Sequence, residues 1–230
     1  MLFAIIAVHV VTDFVLQPDW MATAKRQNMG VLALHAFITG LGPIVLAWLI
    51  WPVLWAPAIC LMFLHFLIDW AKIRTDHYFK GGPMPGFLLD QFFHLLSYGL
   101  VLGLFGLLPV NEWTDILAAI TQNQAIIFRY VFAYSMSIFF GYVLLKVMFA
   151  GHPVPQDNVD SHWVKYIGMF ERGLITTFVA LSQFPLIALV VAPRVVFKFL
   201  HLREPLSQQK FVYEILINIA LAVGMGLLLR

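Results

Sequence analysis

The sequence predicts an all-α protein, a polytopic membrane bundle of about seven transmembrane helices with one interfacial amphipathic helix. Two observations lead to this fold class. Of the 230 residues, 61% are hydrophobic and only 11% are charged, whereas about 25% of the residues in a soluble domain are charged. Long apolar stretches also recur along the whole chain, and a helix needs about 20 such residues to cross a bilayer. The composition therefore excludes an ordinary soluble enzyme and a disordered chain.

Seven stretches are predicted as membrane spans, with six or eight as the alternatives. They cover residues 2–17, 31–50, 53–71, 88–108, 126–149, 170–192 and 211–229. The first stretch is short and polar for a span. Pro52 and Pro57 indicate a helix start directly after the second stretch, because proline fits the first turn of a helix. In residues 194–205, Arg194 and Arg203 stand among apolar residues, which is typical of a helix lying in the membrane interface.

The longest polar stretches divide the chain into two predicted domains. Residues 1–108 form a four-helix membrane domain, and residues 109–230 form a three-helix extension that includes the interfacial helix. The single cysteine, Cys60, excludes an internal disulfide and a cysteine-rich zinc site. The net charge of +2 gives no reason to expect nucleic acid as a partner.

The distribution of lysine and arginine predicts the orientation in the membrane. Side B is the side that the chain reaches at the end of the first predicted helix, and side A is the opposite side. Nine of the 14 basic residues fall on side B and five on side A. Because cytoplasmic loops carry an excess of basic residues, we expect side B to be cytoplasmic. The N-terminus is then outside and the C-terminus is cytoplasmic.

Ionisable side chains inside the predicted spans are the main candidates for function, because such groups are costly in a bilayer. They are His9 and Asp13 with Gln17 in the first stretch, His35 in the second, His65, Asp69 and Lys72 in the third, Asp90 and His94 with Gln91 in the fourth, and Glu171 and Arg172 in the sixth. Spacings of four residues place His9, Asp13 and Gln17 along one helix face. Each group lies at the side B end of its helix, so the sequence predicts one polar pocket that opens to side B.

Three histidines and three aspartates on facing helices form a plausible ligand set for one or two divalent metal ions. The predicted metal ligands are His9, Asp13, His65, Asp69, Asp90 and His94. Imidazole suits Zn, and added carboxylates favour harder ions such as Mn or Mg. Two ions about 4 Å apart suit the hydrolysis of a phosphoester or pyrophosphate bond. The predicted catalytic residues are His9, Asp13, Asp69 and Asp90.

The other polar residues are candidates for substrate binding, namely Gln17, Lys25, His35, Lys72, Gln91, Glu171 and Arg172. Lys25 and Lys72 lie at the predicted pocket mouth, where they suit an anionic head group. A structural interpretation stays open, because intramembrane His and Asp side chains also hydrogen-bond helices together. Three residue pairs could be simple ion pairs: Asp69 with Lys72, Asp13 with Lys25, and Glu171 with Arg172.

Four ordered blocks are similar to a bacterial membrane family catalogued as domain of unknown function 3307. The blocks are "HVVTDFVLQPDWMATAK", "LHAF", "FLHFLIDWAKI" and "LLDQFFHLL", within roughly residues 5–105. Further on, "IGMFERGLI" and "VYEILINIALAVGMG" resemble the extension of that family, whereas "APRVVFKFLHLR" departs from it. The resemblance implies that the histidine, aspartate, glutamine and lysine positions of the four blocks are characteristic of the family. It also implies a bacterial inner membrane, and it supplies no activity.

Three functions are compatible with these residues. The first is a metal-dependent hydrolase or transferase that acts on a lipid or lipid-linked phosphate from side B. The second is a structural or accessory subunit of a larger membrane complex, in which the polar residues fix helix packing. The third is an ion- or proton-coupled transporter, in which Asp and His relay the ion. Membrane lipid is the expected partner in the first case, and other membrane protein subunits are expected in the second.

Overall fold

The computed structural model describes residues 1–79, 82–108, 123–150, 161–199 and 205–230. These residues are helices joined by turns, and no strand occurs among them, which confirms the all-α prediction. The chain forms two compact units, Met1–Phe132 and Ala133–Arg230. The predicted domain boundary after residue 108 adjoins residues 109–122, which lie outside the described part of the chain, and it stays a prediction.

Up to residue 108, the described part of the first unit contains four long or apolar helices and one short helix. In chain order they are α1 (Leu2–Val10), α2 (Asp19–Ala24), α3 (Met29–Leu49), α4 (Trp55–Thr75) and α5 (Pro83–Leu104). A π-helical turn, Val11–Val15, extends α1. The start of α3 is capped by Asn28, whose side-chain oxygen accepts hydrogen bonds from the backbone N–H groups of Gly30 and Val31. Pro52 begins the 3-10 turn that leads into α4, which agrees with the predicted helix start.

The first unit has an apolar half and a polar half. The apolar core lies in the side A halves of α1, α3, α4 and α5, and it includes Ile5, Ala47, Leu61 and Leu102. In the side B halves of the same helices, the buried side chains include seven His and Asp residues. This division places the candidate site at one end of a four-helix arrangement.

Two glycines allow α3 to approach its neighbours closely. A Cβ atom on Gly42 would lie 2.2 Å from Cγ1 of Val8 on α1. A Cβ atom on Gly40 would lie 2.4 Å from Cγ of Met62 on α4. Such distances are far below van der Waals contact, so any larger residue would push the helices apart. The glycines thus bring α1 and α4 within reach of the polar side chains on α3.

The other helices of the described chain follow residue 122. They are α6 (Asn123–Ser135), α7 (Gly141–Met148), α8 (Ser161–Ala180), α9 (Pro185–Arg194) and α10 (Pro205–Leu228). A π-helical turn, Met136–Phe140, joins α6 to α7, and a second one, Val195–Phe199, extends α9. In the second unit, α8, α9 and α10 pack together around Ile175, Val179 and Ala222.

Five helical segments of the described chain are long and apolar enough to cross a membrane. They are Met29–Leu49, Pro52–Tyr78, Pro83–Leu104, Ile126–Met148 and Pro205–Leu228, and two shorter apolar helices cover Leu2–Val15 and Pro185–Phe197. The five long segments match five of the predicted spans. The lengths and the composition of these helices are therefore those of an integral membrane protein.

The predicted span over 170–192 is wrong, because the helix breaks in the middle of it. Ser182 adopts a left-handed conformation with φ 62°, and the backbone N–H of Gln183 donates to the carbonyl oxygen of Phe178 at 2.7 Å. This is a Schellman-type helix end. Pro185, which has no N–H to donate, then begins α9, and α9 packs back against α8.

The end of α9 also bears on the predicted interfacial helix over 194–205. The described part of that range continues α9 as the π-helical turn Val195–Phe199, so it is not a separate element. Residues 200–204 lie outside the described residues.

Candidate metal centre

The polar half of the first unit brings the predicted histidines and aspartates together. Seven side chains from four helical segments meet there, each no more than 6% exposed: His9, Asp13, His35, His65, Asp69, Asp90 and His94. The predicted convergence at one membrane depth is therefore found in the structure. Its physical origin is the antiparallel order of the helices, since successive helices present opposite ends to the same side.

One side of this His/Asp cluster is centred on His35, which is fully buried. Its Nε2 atom lies 3.1 Å from Nε2 of His65, 3.1 Å from Oδ1 of Asp13 and 3.4 Å from Oδ2 of Asp69. The His65 Nε2 atom lies 3.8 Å from the same Asp69 oxygen and 4.0 Å from Oδ1 of Asp13. The sequence assigned His35 to substrate binding, whereas its burial and its contacts favour a position among the ligands.

The other side of the cluster is centred on His94. Its Nε2 atom lies 3.4 Å from Oδ1 of Asp69 and 3.4 Å from Oδ1 of Asp90. The second oxygen of Asp90, Oδ2, accepts hydrogen bonds from Lys72 at 2.8 Å and from Gln91 at 3.1 Å. These bonds orient the Asp90 carboxylate so that Oδ1 faces His94. Hydrogen bonds of this kind fix ligands in metal sites.

His9 joins the two sides. Its ring centroid lies 5.5 Å from that of His65 and 5.4 Å from that of His94. Its Nε2 atom lies 3.9 Å from Oδ2 of Asp13. On the far side its ring packs on Tyr98, with centroids 5.1 Å apart. The rings of His65 and His94 stack on each other at a centroid distance of 4.2 Å.

Many polar atoms of the cluster are buried without a hydrogen-bond partner among the described residues. They are both ring nitrogens of His9 and of His94, the Nδ1 atoms of His35 and His65, and Oδ1 of Asp90. An unsatisfied buried polar atom costs about 1–3 kcal/mol, so a concentration of them in one place requires an explanation. A bound cation explains the Nε2 and carboxylate atoms together, because all of them offer lone pairs.

Two lysines flank the cluster and are paired across helices. The Lys25 Nζ atom, just after α2, lies 2.6 Å from Oδ2 of Asp69 on α4. The Lys72 Nζ atom on α4 lies 2.8 Å from Oδ2 of Asp90 on α5. The sequence offered other pairs as alternatives, Asp13 with Lys25 and Asp69 with Lys72, and the structure pairs both lysines differently.

Gln17 reaches the same region from outside the helix. The π-helical turn ends at Val15, so the predicted face shared by His9, Asp13 and Gln17 does not continue to Gln17. With its amide oriented to satisfy its neighbours, Gln17 donates to the backbone oxygen of Asp13 at 3.0 Å and accepts from Lys25 Nζ at 3.0 Å. Gln17 therefore supports the lysine that contacts Asp69.

Sequence reasoning missed two residues that support the cluster. Tyr98 packs on His9 and is buried, and the Ser97 hydroxyl donates to the backbone oxygen of His94 at 2.7 Å. Tyr98 lies four residues after His94, so the helical spacing that connects Asp90 with His94 also includes Tyr98. That spacing was the available signal.

Glu171 and Arg172 lie in the middle of α8 and contact residues of the second unit. Arg172 is buried and donates to Oδ1 of Asn218 at 2.6 Å and to the backbone oxygen of Ile138 at 2.8 Å. Glu171 accepts from Arg194, which also donates to Glu214. Each residue thus has a hydrogen-bond partner other than the one in the Glu171–Arg172 ion pair that the sequence offered as an alternative. Their predicted substrate-binding function stays a prediction.

Three sets of side chains in the cluster have ligand atoms close enough to hold a metal ion. The sets are His9, His65 and His94; Asp13, His35 and His65; and Asp69, Asp90 and His94, and within each set the ligand atoms lie within 4.8 Å of one another. Neutral imidazole with carboxylate suits Zn, Mn and Fe. The arrangement can therefore bind a divalent cation in a site that the membrane helices shield from water.

The comparisons with known proteins give one family and no closer relative. A family model described as "Protein of unknown function (DUF3307)" matches residues 1–122. The match includes every residue of the His/Asp cluster and agrees with the resemblance of the four sequence blocks. No curated protein and no solved structure matches the chain.

Proposed function

The chain belongs to the DUF3307 family of proteins of unknown function, and from that premise we propose a metal-dependent hydrolase or transferase. Its substrate is a phosphate group on a membrane lipid or lipid-linked molecule, and its reaction centre is the His/Asp cluster. The observation that carries the proposal is the buried group of His and Asp side chains on four helical segments of the described chain, with the ligand atoms of Asp90 and His94 unpartnered among the described residues.

The charges around the cluster support an anionic substrate. Asp13, Asp69 and Asp90 bring three carboxylates, and the two lysines bring two ammonium groups. With neutral histidines, this balance is negative by one charge, and a divalent cation would reverse its sign. Lys25 and Lys72 then add positive charge beside the cation, where they can hold a phosphate oxygen.

The metal ion, its ligands and the two glutamines would each have a different part in the reaction. A bound divalent ion would polarise a phosphoryl oxygen and activate a water molecule. The aspartates and histidines hold and orient that ion, and Gln17 and Gln91 hold Lys25 and Asp90 in place. The buried position keeps bulk water out, which strengthens every electrostatic interaction at the site.

The position of the cluster favours a hydrolase or transferase over a transporter. The described cluster occupies only the side B half of the first unit, and the other half is filled by apolar side chains such as Ile5, Ala47 and Leu102. A transporter needs access from both faces, and this packed core offers no polar path along the described helices. A lipid head group, in contrast, can approach from one face.

A phosphate-release assay tests the proposal. The full chain, purified in detergent, is placed in phosphatidylcholine vesicles that contain phosphatidic acid or an isoprenyl diphosphate. Released phosphate is measured with added Mn²⁺, Zn²⁺ or Mg²⁺ and with a chelator, and soluble p-nitrophenyl phosphate separates a lipid substrate from a free one. Asp69→Asn should lose more than about 100-fold in rate, whereas His77→Ala, an exposed histidine, should retain the rate. No release from any substrate, together with no bound metal, would overturn the proposal and favour an accessory subunit.

We also propose a cytoplasmic location for side B, in a bacterial inner membrane. A cytoplasmic C-terminus would require a crossing at 170–192, where the described residues instead form the α8–α9 hairpin. In the second unit, Lys165, near the start of α8, lies over the ring of Tyr142, and Arg230 lies over the ring of Phe184, at the α8–α9 turn. Arg230 is thus at the opposite end from Lys165, and with side B cytoplasmic we place it outside.

A further inference from the structure

We infer that the centre holds two divalent cations rather than one, and that the Asp69 carboxylate bridges them. This inference rests on the proposed function only in requiring that the cluster binds metal. It is carried by the geometry of Asp69, whose two oxygens face two different sets of ligand atoms.

The first cation position lies between α1, α3 and α4. Its ligand atoms are Oδ1 of Asp13, Nε2 of His35 and Nε2 of His65, which lie within 4.8 Å of one another. Oδ2 of Asp69 joins them, 3.4 Å from the His35 nitrogen and 3.8 Å from the His65 nitrogen. A tetrahedral shell with bonds of about 2.0–2.1 Å places neighbouring ligand atoms about 3.3 Å apart. The three distances to the His35 nitrogen, 3.1, 3.1 and 3.4 Å, are therefore close to those between ligands of one ion.

The second position lies between α4 and α5. Its ligand atoms are Oδ1 of Asp69, Oδ1 of Asp90 and Nε2 of His94, with both carboxylate oxygens 3.4 Å from the histidine nitrogen. His9 offers a further nitrogen on this side, which lies within 4.8 Å of the ligand atoms of His65 and His94. Neither nitrogen of His9 or His94 has a hydrogen-bond partner among the described residues.

Asp69 belongs to both positions because of where α4 lies. Helix α4 packs between α3 and α5, and Asp69, four residues after His65, faces His35 with one oxygen and His94 with the other. Lys25 also contacts Oδ2 of Asp69. A carboxylate oxygen has two lone pairs, so Oδ2 can accept from Lys25 and still bind an ion.

One lysine lies beside each of the two cation positions. Lys25 contacts the oxygen of Asp69 that belongs to the first position, and Lys72 contacts the oxygen of Asp90 that the second position leaves free. Each position thus has one ammonium group beside it. A phosphoryl group that spans both ions would meet a positive charge on either side, which suits the in-line displacement that two-metal sites promote.

Manganese titration tests the two-ion arrangement. The full chain in detergent is stripped with a chelator, loaded with Mn²⁺ and freed of excess ion, and bound manganese per chain is measured by mass spectrometry. Low-temperature electron paramagnetic resonance then distinguishes a coupled pair from isolated Mn²⁺ ions. We expect two ions per chain and a coupled spectrum.

Variants assign each ion to its position. His35→Ala and His94→Ala should each retain one ion with an uncoupled spectrum, and Asp69→Asn should lose the coupling. The exposed His77→Ala is the matched histidine control and should bind as the wild type does. Circular dichroism and gel filtration check that each variant is folded.

The possible results separate this inference from the proposed function. One ion per chain, lost in both His35→Ala and His94→Ala, would overturn the two-ion inference and leave the metal-dependent function standing. Two ions without coupling would overturn the bridge by Asp69. No bound ion in the wild type would overturn both proposals. If a variant fails to fold, the electron paramagnetic resonance spectrum of the wild type alone tests whether Asp69 bridges the two ions.

Discussion

His35 and His65 face each other through their Nε2 atoms, which lie 3.1 Å apart in a fully shielded position. Two facing ring nitrogens can be satisfied by one shared proton or by one cation between several ligands. Because Asp13 and Asp69 oxygens lie within 3.4 Å of the His35 nitrogen, a cation has four ligand atoms available there. Replacing His35 therefore tests whether the cluster binds metal.

We expect divalent cations to stabilise the wild-type protein against heat. A ligand at 100 times its dissociation constant stabilises the folded state by about 2.7 kcal/mol. Thermal unfolding in detergent, with and without Mn²⁺, should show a higher melting temperature for the wild type and no increase for the double variant His35→Ala, His94→Ala. His77→Ala should respond as the wild type does. An equal increase in the double variant would place metal binding elsewhere.

Changing Gly42 to leucine should disrupt the centre without altering any ligand. The new side chain would meet Val8 and push α1 away from α3, which separates Asp13 from His35. Overpacking of this kind costs about 1–3 kcal/mol. Gly99→Leu on α5 is the matched control, because a Cβ atom there meets nothing within 4 Å. Metal affinity, measured by calorimetry, should fall for Gly42→Leu and be unchanged for Gly99→Leu; equal affinity in both would contradict the close-packing argument.

The Arg194 ion pairs in the second unit should stabilise that unit only as a set. Replacing Arg194 with Met leaves Glu171 and Glu214 without this partner, and we expect a loss of about 3–5 kcal/mol in the free energy of unfolding. The triple variant that also carries Glu171→Gln and Glu214→Gln should recover most of it, since the two carboxylate charges that faced Arg194 are removed. Denaturant titration in detergent measures both. A triple variant as unstable as the single one would show that Arg194 acts through packing instead.

The orientation can be tested with reporters. A reporter fused after Arg230 should be exported, and a reporter inserted in the exposed turn at His77, on side B, should stay in the cytoplasm. The reason is the α8–α9 hairpin, which returns the chain to the end where α8 begins before α10 crosses. A cytoplasmic reporter at Arg230 would contradict this reading and restore a full crossing between α8 and α10.

The convergence of the His/Asp cluster was predictable because it depends on few physical facts. Each ionisable residue has a fixed depth in its span, and consecutive spans alternate in direction, so the side B ends must meet. The family was predictable for a similar reason: the spaced blocks around His9, His65 and Asp90 are specific in their order. The first prediction needed only spacing along the chain, and the second rested on the resemblance of the blocks to a known family.

Details that depend on local backbone geometry could not be predicted in this way. Hydropathy does not distinguish a continuous span at 170–192 from two helices joined at Ser182, because the apolar composition is the same. It also cannot choose among lysine partners, since the long side chains of Lys25 and Lys72 reach neighbouring helices rather than residues on their own. The alternating direction of the spans determines where the site lies, and tertiary packing determines which lysine pairs with which aspartate.

The π-helical turn Val11–Val15 gives the first helix a rotational offset between its two ligands. A π-turn accommodates one more residue than an α-helical turn does, as the hydrogen bond from Leu16 N–H to the carbonyl oxygen of Val11 shows. Removing a single residue at Val11 would restore regular α-helix and leave His9 and Asp13 at a three-residue spacing, about 60° apart around the helix axis. His9 would then turn away from His65 and His94 while Asp13 kept its place beside His35. A one-residue deletion in this turn is thus equivalent to removing a histidine ligand, although every ligand is still encoded in the chain.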